Sequence, residues 1–225
     1  MTSSLLIAGT DTDSGKTALT LALAAYWRTY RPATSLGLMK LVQAGRGDAE
    51  CYRELFGQDE GLAIRVPLAF EMPVAPPLAA AREERPLDLG AAWQALQALQ
   101  RERDFVLIES LGGLGSPVTE ELTVGEVAAA WHLPTLLVVP VQLGAIAQAV
   151  ANVALARQVG VPLQGLVLNC AQPQAGESGA DWAPSALMES LTGVPVWGKL
   201  PYLASWRDRG ALTRAASELA LERLR

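Results

Sequence analysis

The chain is poor in the residues that most often announce chemistry. It has one histidine, His132, and two cysteines, Cys51 and Cys170. His132 sits in "AAAWHLPT", ahead of an apolar run, and reads as a boundary residue rather than a base. That leaves no Ser–His or Cys–His nucleophile. The two cysteines form neither a disulfide framework nor a metal motif, and a reduced, cytoplasmic setting is expected. No apolar run approaches the ~20 residues that span a bilayer. The N-terminal "MTSSLLIAGTDTDSGK" lacks the basic region of a secretion leader. Positive charge is not in excess either: the net charge is −5 and the pI about 5.0. A nucleic-acid backbone would find no basic face here, and the six tryptophans are scattered rather than arranged for base stacking. Neither a membrane nor a nucleic acid is an expected partner.

Half of the residues are apolar and 18% are charged, the composition of a compact globular chain. Its length suits one α/β domain, taken as residues 1–225. Short β-rich runs alternate with longer stretches of helical composition. The runs are Ser4–Gly9, Ser35–Lys40, Asp104–Ser110, Pro134–Pro140, Gly165–Cys170 and a weaker Val194–Pro201. Several are apolar on successive residues, as strands covered on both faces should be. The helical stretches are Lys16–Tyr30, Leu89–Arg101, Ile146–Gly160, Ser185–Leu191 and Leu212–Arg225. Such alternation predicts crossover units, a mostly parallel sheet and helices on both faces. The Pro-rich Val66–Pro86 reads as an ordered loop over the sheet, and Ala171–Ser185 as a mobile one.

The stretch "GTDTDSGKT", Gly9–Thr17, carries the clearest chemistry. It follows the first strand and opens a helix-forming run. In a phosphate loop, backbone N–H groups and a helix N-terminus wrap the phosphates. A lysine reaches the outer phosphates and a Ser or Thr hydroxyl meets Mg²⁺. Gly15, Lys16 and Thr17 supply that ending, although five residues rather than four separate Gly9 from Gly15. Two acids inside the loop need a reason. Asp11 is expected to accept hydrogen bonds from nearby backbone N–H groups, and Asp13 to face something positive. Lys40 ends the second strand, at the sheet edge where ligands sit in open α/β folds. Thr17, Asp48 and Glu109 could converge there on one Mg²⁺, a hard ion that takes oxygen ligands.

These segments, with "LMKLVQAGRGDAECY", "PVAPPLAA", "LIESLGGLGSPVT", "VVPVQLGAIAQAVANVALAR" and "GLVLNC", resemble the dethiobiotin synthetases. The resemblance runs from about residue 4 to 203 and is weakest over Ala171–Pro184. It implies a ligase of biotin synthesis that joins 7,8-diaminopelargonate and CO₂ at the expense of ATP, with Mg²⁺, and works as a homodimer. It implies further that Lys16 and Lys40 are the catalytic cations and that Thr17, Asp48 and Glu109 hold Mg²⁺. Asp13, Ser14, Gly15, Lys16, Thr17, Ala18 and Asn169 would meet ATP, Asn169 at the adenine. Thr12, Asp13, Lys40 and Ala44 would face the diamine. Gly144, Ala145, Ile146 and Ala147 of the other subunit would hold its carboxylate. The chain departs from the family's usual pattern at Leu41 (Pro), Ala44 (Ser), Asp13 (Glu), and Ser110 and Leu111 in a Gly-rich loop, where larger side chains should crowd the phosphates. Two alternatives stay open: a catalytically weakened relative, and a P-loop switch or partitioning ATPase that binds a partner. The second lysine common early in the loops of such partitioning ATPases is absent, since Thr10 and Asp11 stand there.

Overall fold

The structure is a computed structural model that describes residues 3–173 and 181–224. The central residues of the Ala171–Ser185 stretch, 174–180, lie outside the described residues. Seven strands form one parallel sheet: β1 (Ser3–Gly9), β2 (Leu36–Lys40), β4 (Leu62–Arg65), β6 (Phe105–Gly113), β7 (Thr135–Pro140), β8 (Leu163–Asn169) and β9 (Val196–Leu200). Their spatial order is β4-β2-β6-β1-β7-β8-β9, with every neighbour parallel. Two short strands, β3 (Val42–Ala44) and β5 (Leu68–Phe70), pair separately and also in parallel.

The helices are α1 (Lys16–Tyr30), α2 (Asp48–Phe56), α3 (Pro76–Arg82), α4 (Leu89–Glu102), α5 (Val124–Ala130), α6 (Ala145–Val159), α7 (Ser185–Thr192) and α8 (Arg209–Ser217). They cover both faces of the sheet, which explains why the strands are apolar on successive residues. On β6, Val106 and Ile108 join a core with α4, α5 and α6, while Phe105 and Leu107 join a second core with α1, α2 and α8. Each fully buried Leu or Ile contributes roughly 1.5–3 kcal/mol, so the centre of the sheet is where burial stabilises the fold most. None of the helices among the described residues is long and apolar enough to cross a membrane.

The predicted strands and longer helices are present, most with ends moved by one to three residues. Three expectations need correction. Val66–Pro86 contains β5 and α3; Pro76 and Pro77 open α3, where a missing N–H costs nothing. The last helix starts earlier, with Asp208 accepting from Ala211 N as its cap, and stops at Ser217. A 3₁₀ turn, Leu221–Arg223, follows it. The strand expected to end at Ser110, β6, runs on to Gly113 and leaves Glu109 inside it. The sheet order sets the site. The chain leaves β1 toward β2 on one side and later toward β7 on the other, so the carboxyl end of β1 lies at the switch point where open α/β sheets bind ligands.

Candidate active site

The loop between β1 and α1 forms because its residues accept conformations that most do not. Asp13 has φ 57° and Gly15 has φ 99°. Aspartate tolerates the left-handed region. Gly15 is required twice over, since a Cβ there would lie 1.9 Å from Asn169 Nδ2. Asn169, at the end of β8, donates to the Ser14 carbonyl at 3.0 Å and so holds the loop from below. No side chain caps the N-terminus of α1, which leaves its first N–H groups to an anion. Asp11 behaves as expected, its Oδ1 accepting from Thr12 N at 2.7 Å, and Asp13 is exposed on the cavity wall. Ser14 is different. Its side chain is fully buried and points at Gly9, whose added Cβ would meet Ser14 Oγ at 2.2 Å.

A cavity of about 650 Å³ opens in front of this loop. Lys16, Thr17, Lys40, Asp48 and Glu109 all line it, with Thr12, Asp13, Gly15 and Ala44. Lys16 Nζ donates to the Asp11 carbonyl at 2.9 Å. Lys40 Nζ donates to Glu109 Oε1 at 2.7 Å and to the Ser110 carbonyl at 3.0 Å, and pairs closely with Asp48 Oδ2. Thr17 Oγ1 lies 2.7 Å from Asp48 Oδ1 and 2.8 Å from Glu109 Oε1. Tyr52 OH donates to Glu109 Oε2.

Burial and charge compete at these groups. Burial pulls Lys16 below the usual lysine range, and the neighbouring Lys40 charge adds to it; Glu109, Asp48 and Asp13 only partly restore it. Burial also pulls on Lys40, but Glu109 and Asp48 outweigh it and the net direction is up. Burial would raise Asp48, yet Lys40, Thr17 and Lys16 outweigh it and hold the carboxyl low. Tyr52 is pushed well up by burial, then by the Glu109 charge and the bond to it.

The donor set suits Mg²⁺. Two carboxylates and a hydroxyl are hard oxygen ligands, and bonds of ~2.0–2.1 Å in an octahedron put adjacent oxygens about 3 Å apart. The Thr17–Asp48 and Thr17–Glu109 separations, 2.7 and 2.8 Å, are close to that edge. No three His, Cys, Asp or Glu side chains gather as a metal site among the described residues, so an ion here would need the hydroxyl beside the two carboxylates.

The departures are accommodated in different ways. Leu41 donates its N–H to the Glu109 carbonyl at 2.9 Å, a bond that proline could not make. Ser110 is fully buried and does not line the cavity, which corrects the expectation that it crowds the phosphates; Leu111 does line it. Ser110 Oγ, Ser14 Oγ and Thr10 Oγ1 are buried without a partner among the described residues. Gly144–Ala147 do not line this cavity. They open α6, with Gly144 left-handed and no side-chain cap.

Several residues of the site were not legible beforehand. Tyr52 was one. Gln43 is another: its Nε2 donates to Glu50 Oε2 and the Gly45 carbonyl, and its Oε1 accepts from Ala49 N, which fixes the turn before Asp48. Asn152 on α6 donates to the Thr10 carbonyl and accepts from Leu114 N, tying the phosphate loop to that helix. The Tyr52 side chain has one sequence signal, its place four residues after Asp48, which puts both on one helix face. His132, by contrast, is an exposed turn residue after α5, with φ 50°, and does not line this cavity.

Comparison with known proteins finds relatives over nearly the whole chain. The AAA domain family matches residues 3–208. An ATP-dependent dethiobiotin synthetase BioD of Gloeothece citriformis is 59% identical, covering 98% of this chain and 97% of that protein. One from Synechocystis is 53% identical over 98% of this chain and 94% of its own length. Among solved structures, a ParA family ATPase from Chlorobium tepidum superposes with a TM-score of 0.64 at 11% identity, covering 99% of this chain and 98% of its own. The cell division ATPase MinD of Pyrococcus furiosus gives 0.57 at 16% identity, covering all of both chains. Those two share the fold alone; the likeness that extends to sequence is to the synthetases.

Proposed function

The chain belongs to the ATP-dependent dethiobiotin synthetase family, and from that premise we propose how its own residues carry the reaction. It is a ligase-type enzyme that uses ATP in biotin biosynthesis. In our reading one amine of 7,8-diaminopelargonate attacks CO₂ and loses a proton, giving a carbamate. A carbamate oxygen attacks the γ-phosphorus in line, and the bond from that phosphorus to the ADP oxygen breaks. The second amine then attacks the activated carbonyl and loses a proton, phosphate leaves with the former carbamate oxygen, and the ureido ring of dethiobiotin closes.

The observation that carries this reading is the convergence of five polar side chains from four segments on one cavity: Lys16 and Thr17, Lys40, Asp48, and Glu109. The uncapped N–H groups from Asp13 to Ala18 would cradle the phosphates. Lys16, held by a single carbonyl, would follow the γ-phosphate and stabilise the charge that builds there. Lys40, kept charged by two carboxylates, would hold the carbamate. Thr17, Asp48 and Glu109 would hold Mg²⁺, which supplies neutralisation of the phosphate charge. The cavity supports that need: Lys16 and Lys40 face Asp13, Asp48 and Glu109, so a bare polyphosphate would meet net negative charge.

Asp13 and Thr12 would face the amines, and Ala44 with Val42, Val74 and Leu111 the aliphatic chain. Asn169 would act on the nucleotide through the loop it holds as well as at the base. The first turn of α6, Gly144–Ala147, would hold the substrate carboxylate of a second copy, which suits an uncapped helix N-terminus. A homodimer is part of this proposal. Leu143 is 85% exposed beside that turn, and Leu187 and Leu191 are exposed on the neighbouring α7. A cytoplasmic location agrees with the two free cysteines.

The test is release of ADP and phosphate from ATP and Mg²⁺, with and without the diamine and bicarbonate. Release that requires both supports the reading; release indifferent to both overturns it. Light scattering at micromolar concentration checks the dimer, and a fully active monomer would exclude the shared carboxylate site.

A further inference from the structure

Tyr52 is fully buried, and its phenol donates to Oε2 of Glu109. Glu109 is itself fully buried. Its other oxygen, Oε1, faces Thr17 Oγ1 at 2.8 Å and Lys40 Nζ at 2.7 Å. Tyr52 follows Asp48 by four residues on α2, so the two side chains leave the same face of the helix, one turn apart. Helix α2 thus presents one carboxylate to the cavity directly and grips the second through its phenol.

We propose that Tyr52 is a positioning residue that restricts Glu109 to a single ligating oxygen and so makes the metal site favour Mg²⁺ over Ca²⁺. The inference rests on the reading of Thr17, Asp48 and Glu109 as the magnesium ligands. A carboxylate with both oxygens free can turn both toward a cation. Ca²⁺ accepts that arrangement, because it takes six to eight oxygens at ~2.3–2.6 Å in flexible geometry. Mg²⁺ demands near-ideal octahedral geometry at ~2.0–2.1 Å, with one oxygen per vertex. A phenol on Oε2 removes the two-oxygen option and fixes the plane of the carboxylate. Water does not readily replace it, because both partners are closed to solvent. A phenol that was only satisfying itself in the core would affect stability and leave metal preference alone.

Tyr52→Phe tests this, since it keeps the ring and its packing volume. Binding is read without turnover, by calorimetric titration of Mg²⁺ and of Ca²⁺ into the protein saturated with a non-hydrolysable ATP analogue. Loss of an outer partner of a ligand typically weakens metal affinity about 10–100-fold. Mg²⁺ affinity should fall in that range, Ca²⁺ affinity should fall less or rise, and the Mg²⁺/Ca²⁺ ratio should drop about tenfold or more. The KM for the diamine should not move. In a Glu109→Gln background the same tyrosine change should no longer alter the ratio, a non-additivity expected only of coupled groups. A folded Tyr52→Phe protein with the wild-type ratio overturns the proposal. Undiminished Mg²⁺ affinity in Glu109→Gln alone would instead overturn the assignment of Glu109 as a ligand, and the inference with it.

Discussion

Lys16 and Lys40 face the same cavity, yet burial ends in opposite results for them. Lys16 rises from the phosphate loop, its ammonium rests on the Asp11 carbonyl, and it is held below the usual lysine range. Lys40 rises from the strand cluster behind, where Asp48 and Glu109 more than offset its desolvation. The loop is a backbone device with a loosely held cation. The cluster is a charge device in which each group is fixed by the next. A lysine that must follow a moving phosphoryl group gains from being loosely held, whereas one that orients a substrate gains from being fixed. The same difference predicts that the cluster, and not the loop, couples activity to stability.

Lys40→Met should therefore have the largest effect. It removes the cation from a buried carboxylate, and breaking a buried pair costs about 3–5 kcal/mol. Turnover should vanish and the melting temperature should drop by many degrees; an unchanged melting curve would remove the distinction between the two lysines. Lys16→Ala should separate the two properties. Loss of one charge-stabilising contact costs about 10²–10³ in kcat, while stability should change little because the loop is held by Asn169 and its own backbone. Wild-type-like turnover in that variant would contradict the role of the loop.

Asp13→Asn probes the outer wall of the same cavity. Asparagine also tolerates the left-handed backbone, so only the charge is lost. The KM for the diamine should rise roughly tenfold to a hundredfold, the worth of a charged contact of about 1.5–3 kcal/mol. Equal change in the KM for ATP would move Asp13 to the nucleotide. A control lies at the opposite end of the sheet. Asp104 accepts from Ser35 N and Oγ, and those bonds hold its carboxyl below the usual range. A depressed folded value means that the contribution is present above the unfolded value and is lost as pH falls through the folded one. Asp104→Asn should melt like the wild type in strong acid, lose stability relative to it at neutral pH, and keep its turnover. Smallest of all is Ala44→Ser, which should leave kcat within about twofold, since the resembled family usually carries a serine there and the cavity beside it has room for a hydroxyl. A large loss would mean that a hydroxyl there disturbs Asp48.

The comparison also shows why parts of the molecule were readable and others not. The loop and α1 were legible because residue type and local spacing from Gly9 to Tyr30 carry their pattern, even though Asn152 and Asn169 hold the loop from afar. Helix α5 could have been found, since Thr123 and Glu126 form a capping box of the T-x-x-E type. The short strands "LAIR" and "LAF" carry too few residues for a period to show. Helix α3 was hidden by its prolines, which are favourable only at a helix start.

The amino-acid sequence by itself determined the alternating architecture, the phosphate loop, the acid-accepting turn at Asp11 and the family, because each depends on residue type and local spacing. Which side chains meet was decided only by the tertiary structure. Sheet order brings β2 beside β6, in register at Lys40 and Glu109, although 69 residues separate them. One turn of α2 then sets Tyr52 on that same carboxylate. No local pattern encodes such a meeting, since the strand order that produces it is fixed by how two cores fill on either side of the sheet.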